Sequence, residues 1–199
     1  MGLNLNYHNE QTPLAPDEKE GLLIPTISTR EELNELEQLN IQQALEWFIL
    51  HKKFSLDVIL TEKFILSVHK RMLGNVWDWA GTFRKSNKNI GVDKHQIAVR
   101  LRQLIDNCRF WIEHQTYTPV EIALQFKHEL VFIHLFPNGN GIHSRLMADI
   151  LMKHIFNLPT FSWGKADLIH PNDLRAKYIQ ALKKADHGDF KDLIAFAQS

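Results

Sequence analysis

The chain has 199 residues, 44% of them hydrophobic, and its 23 basic and 23 acidic side chains leave a formal net charge of zero. That length supports one substantial core, while the balanced charge excludes the sequence-independent nucleic-acid binders that rely on a positive excess, so nucleic acid is not an expected partner. The single cysteine, Cys108, excludes an internal disulfide; it lies in an apolar series as a buried, reduced thiol, which points to the cytoplasm.

Met1 to Pro16 is polar, without the basic start and apolar run of a signal peptide, and no segment is apolar for long enough to span a bilayer. The expected layout is an N-terminal arm over residues 1–27 and a helical domain over 28–199. Ser28 to Glu31 has the form of a capping box and opens a first long helix that should run to about Leu50, with Ile41, Ala44, Leu45 and Phe48 on its inner face. Phe64, Ile65, Val68 and Met72 make the next stripe, closed by Gly74, and Ile97, Leu101, Leu104, Cys108 and Trp111 a longer one.

Between them, Thr82 to Asp93 interrupts the helical pattern. Ser86-Asn-Lys-Asn-Ile-Gly-Val92 is rich in residues that tolerate turns, which suits a short β-hairpin or flap. Thr118, Pro119 and Glu121 supply an N-cap, a first-turn proline and a back-reaching carboxylate, the clearest helix start in the chain. Ile122, Phe126, Leu130 and Ile133 carry one face of that helix to His134, and Leu146, Met147, Ile150 and Leu151 form the stripe that follows. Two more stripes, Leu174 to Leu182 and Phe190 to Ala197, complete an all-α layout with one flap.

The chemistry concentrates in His134-Leu-Phe-Pro-Asn-Gly-Asn-Gly-Ile-His-Ser-Arg145. Gly139, Asn140 and Gly141 bring backbone close to a ligand at a helix start, where successive amides attract anions, phosphate above all. Arg145 lies one turn further on, so its guanidinium can return to the same anion. His134 precedes the loop and can take a proton near neutral pH, as attack by a hydroxyl on phosphorus requires. Taken singly, Gly-Asn-Gly is a turn, Arg145 a solvated charge and His134 a core residue. Their joint spacing is what points to a site. His128, His134 and His143 follow no zinc-binding pattern. Trp77, Trp79, Trp111 and Trp163 read as core rather than as a ligand platform, and Lys85, Lys88 and Lys94 as the solvating charges of the flap.

The pattern His-x-Phe-x-x-Gly-Asn-Gly-x-x-x-Arg resembles the signature of the Fic (Fic/Doc) family. Trp79-Ala-Gly-Thr-Phe-Arg84 with Asn89-Ile-Gly91 is similar to its segment leading into the substrate flap, and Glu20-Gly21 before the helix start near Thr29 is similar to its N-terminal inhibitory region. The resemblance is nearest to the bacterial branch called mobile mystery protein B. It implies transfer of AMP from ATP, with Mg2+, onto a Ser, Thr or Tyr hydroxyl of a target protein, with an antitoxin or the chain itself as further candidate partners.

In that reading His134 is the general base and Gly139, Asn140 and Gly141 the phosphate cradle, with Arg145 on the outer phosphates. Phe136 is a packing anchor, Lys88, Asn89, Ile90 and Gly91 hold the target, and Glu20 pairs with Arg145 to restrain the site. Three positions depart from the family pattern: Leu135 replaces a proline, Asn138 stands where an acidic residue holds magnesium, and Ile142 stands where an arginine contacts phosphate. A neutral carbonyl oxygen is a weaker magnesium ligand, and the lost arginine contact is worth about 1.5 to 3 kcal/mol. The alternative expectation is therefore a degenerate domain that binds nucleotide or protein without catalysis, and a third is phosphoryl or another nucleotide transfer from the same cradle.

Overall fold

A computed structural model describes residues 14–51, 53–164 and 171–199, the side chains of His51 and residues 171–174 excepted. The helices are α1 (Pro16–Glu20), α2 (Arg30–Glu46), α3 (Leu56–Ile59), α4 (Glu62–Leu73), α5 (Ile97–Glu113), α6 (Pro119–Ile133), α7 (Asn140–His154), α8 (Pro171–Ala185) and α9 (Lys191–Gln198). There is no strand among the described residues; an isolated antiparallel bridge joins Leu22 to Trp77. No described helix is long and apolar enough to cross a membrane.

Local chemistry sets the helix ends. Thr118 accepts from the Glu121 amide while the Glu121 carboxylate takes the Thr118 amide, and Pro119 occupies the first turn. The α2 cap falls one residue later than the sequence suggests. Thr29 accepts from the Glu32 amide, and the Glu32 carboxylate reaches the amides of both Thr29 and Ser28, so the longer-reaching partner settles the register. That helix ends at Glu46 in a π turn, Trp47–His51, around which Trp47, Phe48, Phe54 and Phe64 pack ring against ring.

The core runs through α4, α6 and α7, where Ile65, Val68, Phe126, Met147 and Ile150 are completely buried. α6 packs most extensively on α7, so the loop between them, 134–139, is clamped at both ends by buried helices. The arm is part of the same core. Leu14 and Ile27 are buried in it, and Leu23 donates its amide to the Val76 carbonyl at 2.8 Å. Tyr178, Ala181 and Leu182 of α8 join it as well, whereas the Leu174 side chain lies outside the described residues. Cys108 is buried and burial pushes its thiol up to about 12, which keeps it protonated.

The segment 82–93 is not a β-hairpin. Its ends are tied by side chains rather than by cross-strand amides: Asn87 donates to Asp93 at 2.8 Å and accepts from the Lys94 amide at 2.8 Å, while Val92 donates to the Ile133 carbonyl of α6. Once those polar groups are taken up by side chains and by α6, no ladder remains to form.

Core volume therefore outweighs caps in this fold. Phe126→Ala should cost about 3–5 kcal/mol of unfolding free energy and Thr118→Ala about 1 kcal/mol, measured by urea denaturation; comparable losses for the two would contradict this ranking.

Candidate functional site

The loop after α6 begins with a residue in a conformation that L side chains avoid. His134 has φ 58° and ψ 67°, the left-handed region, which costs a non-glycine residue roughly 1–2 kcal/mol. Arg84 holds it there. The buried guanidinium donates Nε to the His134 carbonyl at 2.7 Å, Nη1 to the Ser86 carbonyl at 2.8 Å and Nη2 to the Val92 carbonyl, and the Arg84 amide donates to the Leu135 carbonyl at 2.9 Å. One side chain thus fastens the flap to the end of α6. Burial, partly offset by Asp93 and Glu18, lowers its pKa.

Gly91 completes the closure. Its φ is +92°, and a Cβ placed there would stand 2.5 Å from Cβ of His134 and 3.1 Å from Nη2 of Arg84, so only glycine lets the flap lie this close. His134 is 5% exposed, and neither ring nitrogen has a hydrogen-bond partner among the described residues. Burial first, then the positive charges of Arg84 and Lys88, push its pKa down to about 4. The imidazole is therefore neutral near pH 7 and free to accept a proton.

The rest of the loop is shaped by Asn140 and His69. Asn140 Oδ1 accepts from the Phe136 amide at 3.0 Å and its Nδ2 donates to the Phe136 carbonyl at 2.8 Å, so this side chain closes the loop while its backbone, the part expected in the phosphate cradle, opens α7. His69 of α4 accepts from the Gly81 amide at Nδ1, which leaves Nε2 as the donor to the Asn138 carbonyl at 3.0 Å. Its ring stacks on Phe136 with centroids 3.7 Å apart, and His143 meets both rings edge-on. Burial and then the His143 charge push His69 down to about 3; burial pushes His143 to about 4.

At the far end of the loop, α7 starts at Asn140 with Gly139 (φ 78°) as its N-cap and no side chain capping its amides. A Cβ on Gly139 would press on Leu73 and His69, whereas one on Gly141 would meet nothing within 4 Å, so the open face lies at Gly141. An uncapped helix start with an open glycine attracts an anion. Arg145, half-buried one turn later, lays Nε 3.4 Å from the Gly141 carbonyl. Asn138 accepts from the Gly139 amide at 2.8 Å. With that oxygen engaged and no acidic residue from His134 to Arg145, the residues present do not fit a magnesium ion held by the protein. No group of three His, Cys, Asp or Glu that could hold a metal occurs among the described residues.

Of the arm residues, Glu20 is exposed, and Glu18 makes the contacts to the flap. The Glu18 carboxylate accepts from Ser86 Oγ at 3.0 Å and pairs with Lys88, whose side chain is 5% exposed, while its backbone carbonyl accepts from Trp79 Nε1 at 2.8 Å. Asn89, Ile90 and Gly91 remain exposed at the tip. The structure thus gathers His134, Gly139, Asn140, Gly141, Arg145 and the flap around one loop, and adds Arg84, His69 and Glu18. For His69 the sequence did hold a signal: an ionisable residue four positions after Ile65 and three before Met72, on the buried stripe.

Residues 59–152 match the Fic/DOC family. The chain is 33% identical over 141 residues to the protein adenylyltransferase Fic of Drosophila melanogaster, across 69% of this chain and 27% of that protein, and 32% identical over the same length to that of Drosophila virilis. It spans about a quarter of the length of these curated relatives. Among solved structures, Fic-1 from C. elegans superposes with a TM-score of 0.62 at 25% identity, covering 90% of this chain and 51% of that one. BepC from Bartonella tribocorum, with AMPPNP bound, superposes with a TM-score of 0.68 at 15% identity, covering 92% and 97%, a likeness of fold.

Two outcomes follow from the geometry. Glu18→Ala should speed hydrogen exchange of the amides in 86–93 by about tenfold or more, the loss of a buried charge pair, while Glu20→Ala should leave them unchanged; equal effects would detach the flap from α1. The second concerns pH. His69, His134 and His143 exclude protons in the folded chain but titrate near pH 6.5 when unfolded, so stability is full above about pH 6.5 and is lost as pH falls toward 4. Each contributes on the order of 1 kcal/mol per pH unit across that window, and urea midpoints that stay flat from pH 7 to 4.5 would show these rings to be accessible.

Proposed function

The chain belongs to the Fic/DOC family, and on that footing we propose that it transfers AMP from ATP to a Ser, Thr or Tyr hydroxyl of a target protein. The observation that carries this reading is His134: a neutral imidazole with both nitrogens unpaired, fixed beside an uncapped, glycine-started helix. The α-phosphate rests against the amides that open α7, and Arg145 holds the outer phosphates. The hydroxyl oxygen of the target forms a new bond to the α-phosphorus while the bond from that phosphorus to the oxygen bridging to the β-phosphate breaks. The hydroxyl proton passes to His134, and pyrophosphate leaves. Neutralising the developing charge with fixed amides and a guanidinium requires little rearrangement at the moment of reaction.

The target segment pairs with the exposed flap backbone at Asn89 to Gly91, and Ile90 gives that edge an apolar contact. An antitoxin, or the chain itself, presents such a segment as well as a foreign target does. Asn138, its side-chain oxygen engaged by the Gly139 amide, would leave any magnesium ion brought by the nucleotide to phosphate and water. Regulation by the arm works through Glu18 on the flap rather than through Glu20, because Glu18 alone of the two meets Ser86 and Lys88.

A second reading is favoured by one specific observation. The position one turn into α7 is Ile142, apolar and 36% exposed, where an additional cation would strengthen phosphate binding. In that reading the domain holds nucleotide or protein without catalysis.

Incubation with α-labelled ATP separates the two. Label should appear on protein with the parent chain and fall to background with His134→Ala, because the substitution removes the proton acceptor, while the variant still unfolds cooperatively in urea. Arg145→Ala should weaken ATP by about tenfold or more and adenosine hardly at all. Nucleotide binding without transfer to any lysate protein would establish the second reading.

A further inference from the structure

The α6–α7–α8 contact contains a group for which packing gives no reason. Lys127, in the middle of α6, is wholly buried, and its Nζ has no hydrogen-bond partner among the described residues; the Tyr178 hydroxyl of α8 is buried and unpartnered as well. Nζ stands 4.3 Å from the centre of the Tyr178 ring, and the Arg145 guanidinium stands over the same ring at 5.7 Å. No carboxylate pairs with either cation among the described residues.

Lysine on a packed helix ordinarily runs its stem along apolar surface and leaves its ammonium in water. Here the amine end is the part that is buried, and burial, then the Arg145 charge, push its pKa well below the usual lysine value. A ring face compensates only partly for lost hydration, and an unsatisfied amine beside a second cation is among the least favourable burials a protein can make. Groups arranged in this way await a ligand of opposite charge. The donors define its class: an amine, a planar guanidinium fork and a phenolic hydroxyl, carried by three helices around one ring, suit an oxyanion with several acceptor oxygens.

We propose that Lys127, Arg145 and Tyr178 form an oxyanion site that takes a phosphate group. The arrangement adjoins the cradle, because Arg145 lies one turn from Gly141 and bonds its carbonyl. From His134 to Arg145 that arginine is the only side chain with a permanent charge, Ile142 being apolar. An oxyanion seated there would favour protonation of Lys127, so that the neighbouring helix supplies the second positive charge in place of one carried on α7 itself. The phosphate is the distal group of a nucleotide seated at Gly139 to Gly141, which rests on the function proposed above, or free pyrophosphate or orthophosphate, which does not.

The test is calorimetric titration of the full chain with ATP, AMP, pyrophosphate and orthophosphate, comparing the parent with Lys127→Met and Tyr178→Phe. Methionine keeps the length of the stem and removes the buried charge, so Lys127→Met should melt no lower than the parent. It should weaken ATP by about tenfold or more, the loss of one charge-assisted phosphate contact, while AMP changes by less than about twofold, and Tyr178→Phe should follow in the same direction by a smaller factor. A parallel loss for pyrophosphate identifies a site that also takes free phosphate; a loss confined to ATP ties it to the nucleotide. Equal losses for ATP and AMP, unchanged ATP affinity, or no binding of any of the four to the parent would overturn the proposal. Pyrophosphate binding that depends on Lys127 in a chain that binds no nucleotide would retain the oxyanion site and remove the function proposed above.

Discussion

Arg84 is the constraint from which the rest of the site follows. A guanidinium presents five donors in a rigid plane, and three backbone carbonyls, of Ser86, Val92 and His134, receive them here inside the protein. An arginine bonded to carbonyls rather than to a carboxylate keeps its full charge, and that charge is one reason His134 stays unprotonated. The same contact therefore sets backbone shape and side-chain chemistry together. It makes the left-handed turn at His134 tolerable, brings Gly91 of the flap close against Cβ of His134, and biases the ring toward the neutral form.

Neutral, hydrogen-bonded histidines act as structural members behind this arrangement. His69 ties the Gly81 turn to the Asn138 carbonyl through its two ring nitrogens, and His143 ties α7 to α4 through the Ile65 carbonyl at 2.9 Å. Phe136 packs against both rings, stacked on His69 and edge-on to His143. A loop supported in this way moves little, so positional precision at the start of α7 comes from buried neighbours rather than from the glycines that give the loop its shape.

Much of this was legible beforehand, for identifiable reasons. The helices at Glu62 and Pro119 announce themselves through caps and periodic apolar faces, which are local properties. The grouping of His134, Gly139, Gly141 and Arg145 was legible because all four lie within one loop and one turn. What the sequence concealed depends on contacts between distant segments. Nothing around Arg84 reveals that its partners sit at positions 92 and 134, and nothing in Asp17-Glu-Lys-Glu20 distinguishes the carboxylate that will be buried from the one that stays in water. Flap residues rich in turn formers suggested a hairpin because a sequence shows backbone preference, not the side chains that compete for the same amides. The clasp that the Asn140 side chain makes on Phe136 was hidden for a related reason, since its type suits either a ligand or a loop clasp.

The flap divides its residues into two kinds with different freedom to vary. Arg84 and Lys88 are held by contacts that a substitution would break, and Gly91, although exposed, leaves no room for a side chain. Asn89 and Ile90 face outward and touch nothing on which the fold depends. Drift at those two positions is nearly free for stability, so a lineage carrying this chain can vary this exposed edge in small steps while the loop beneath stays as it is.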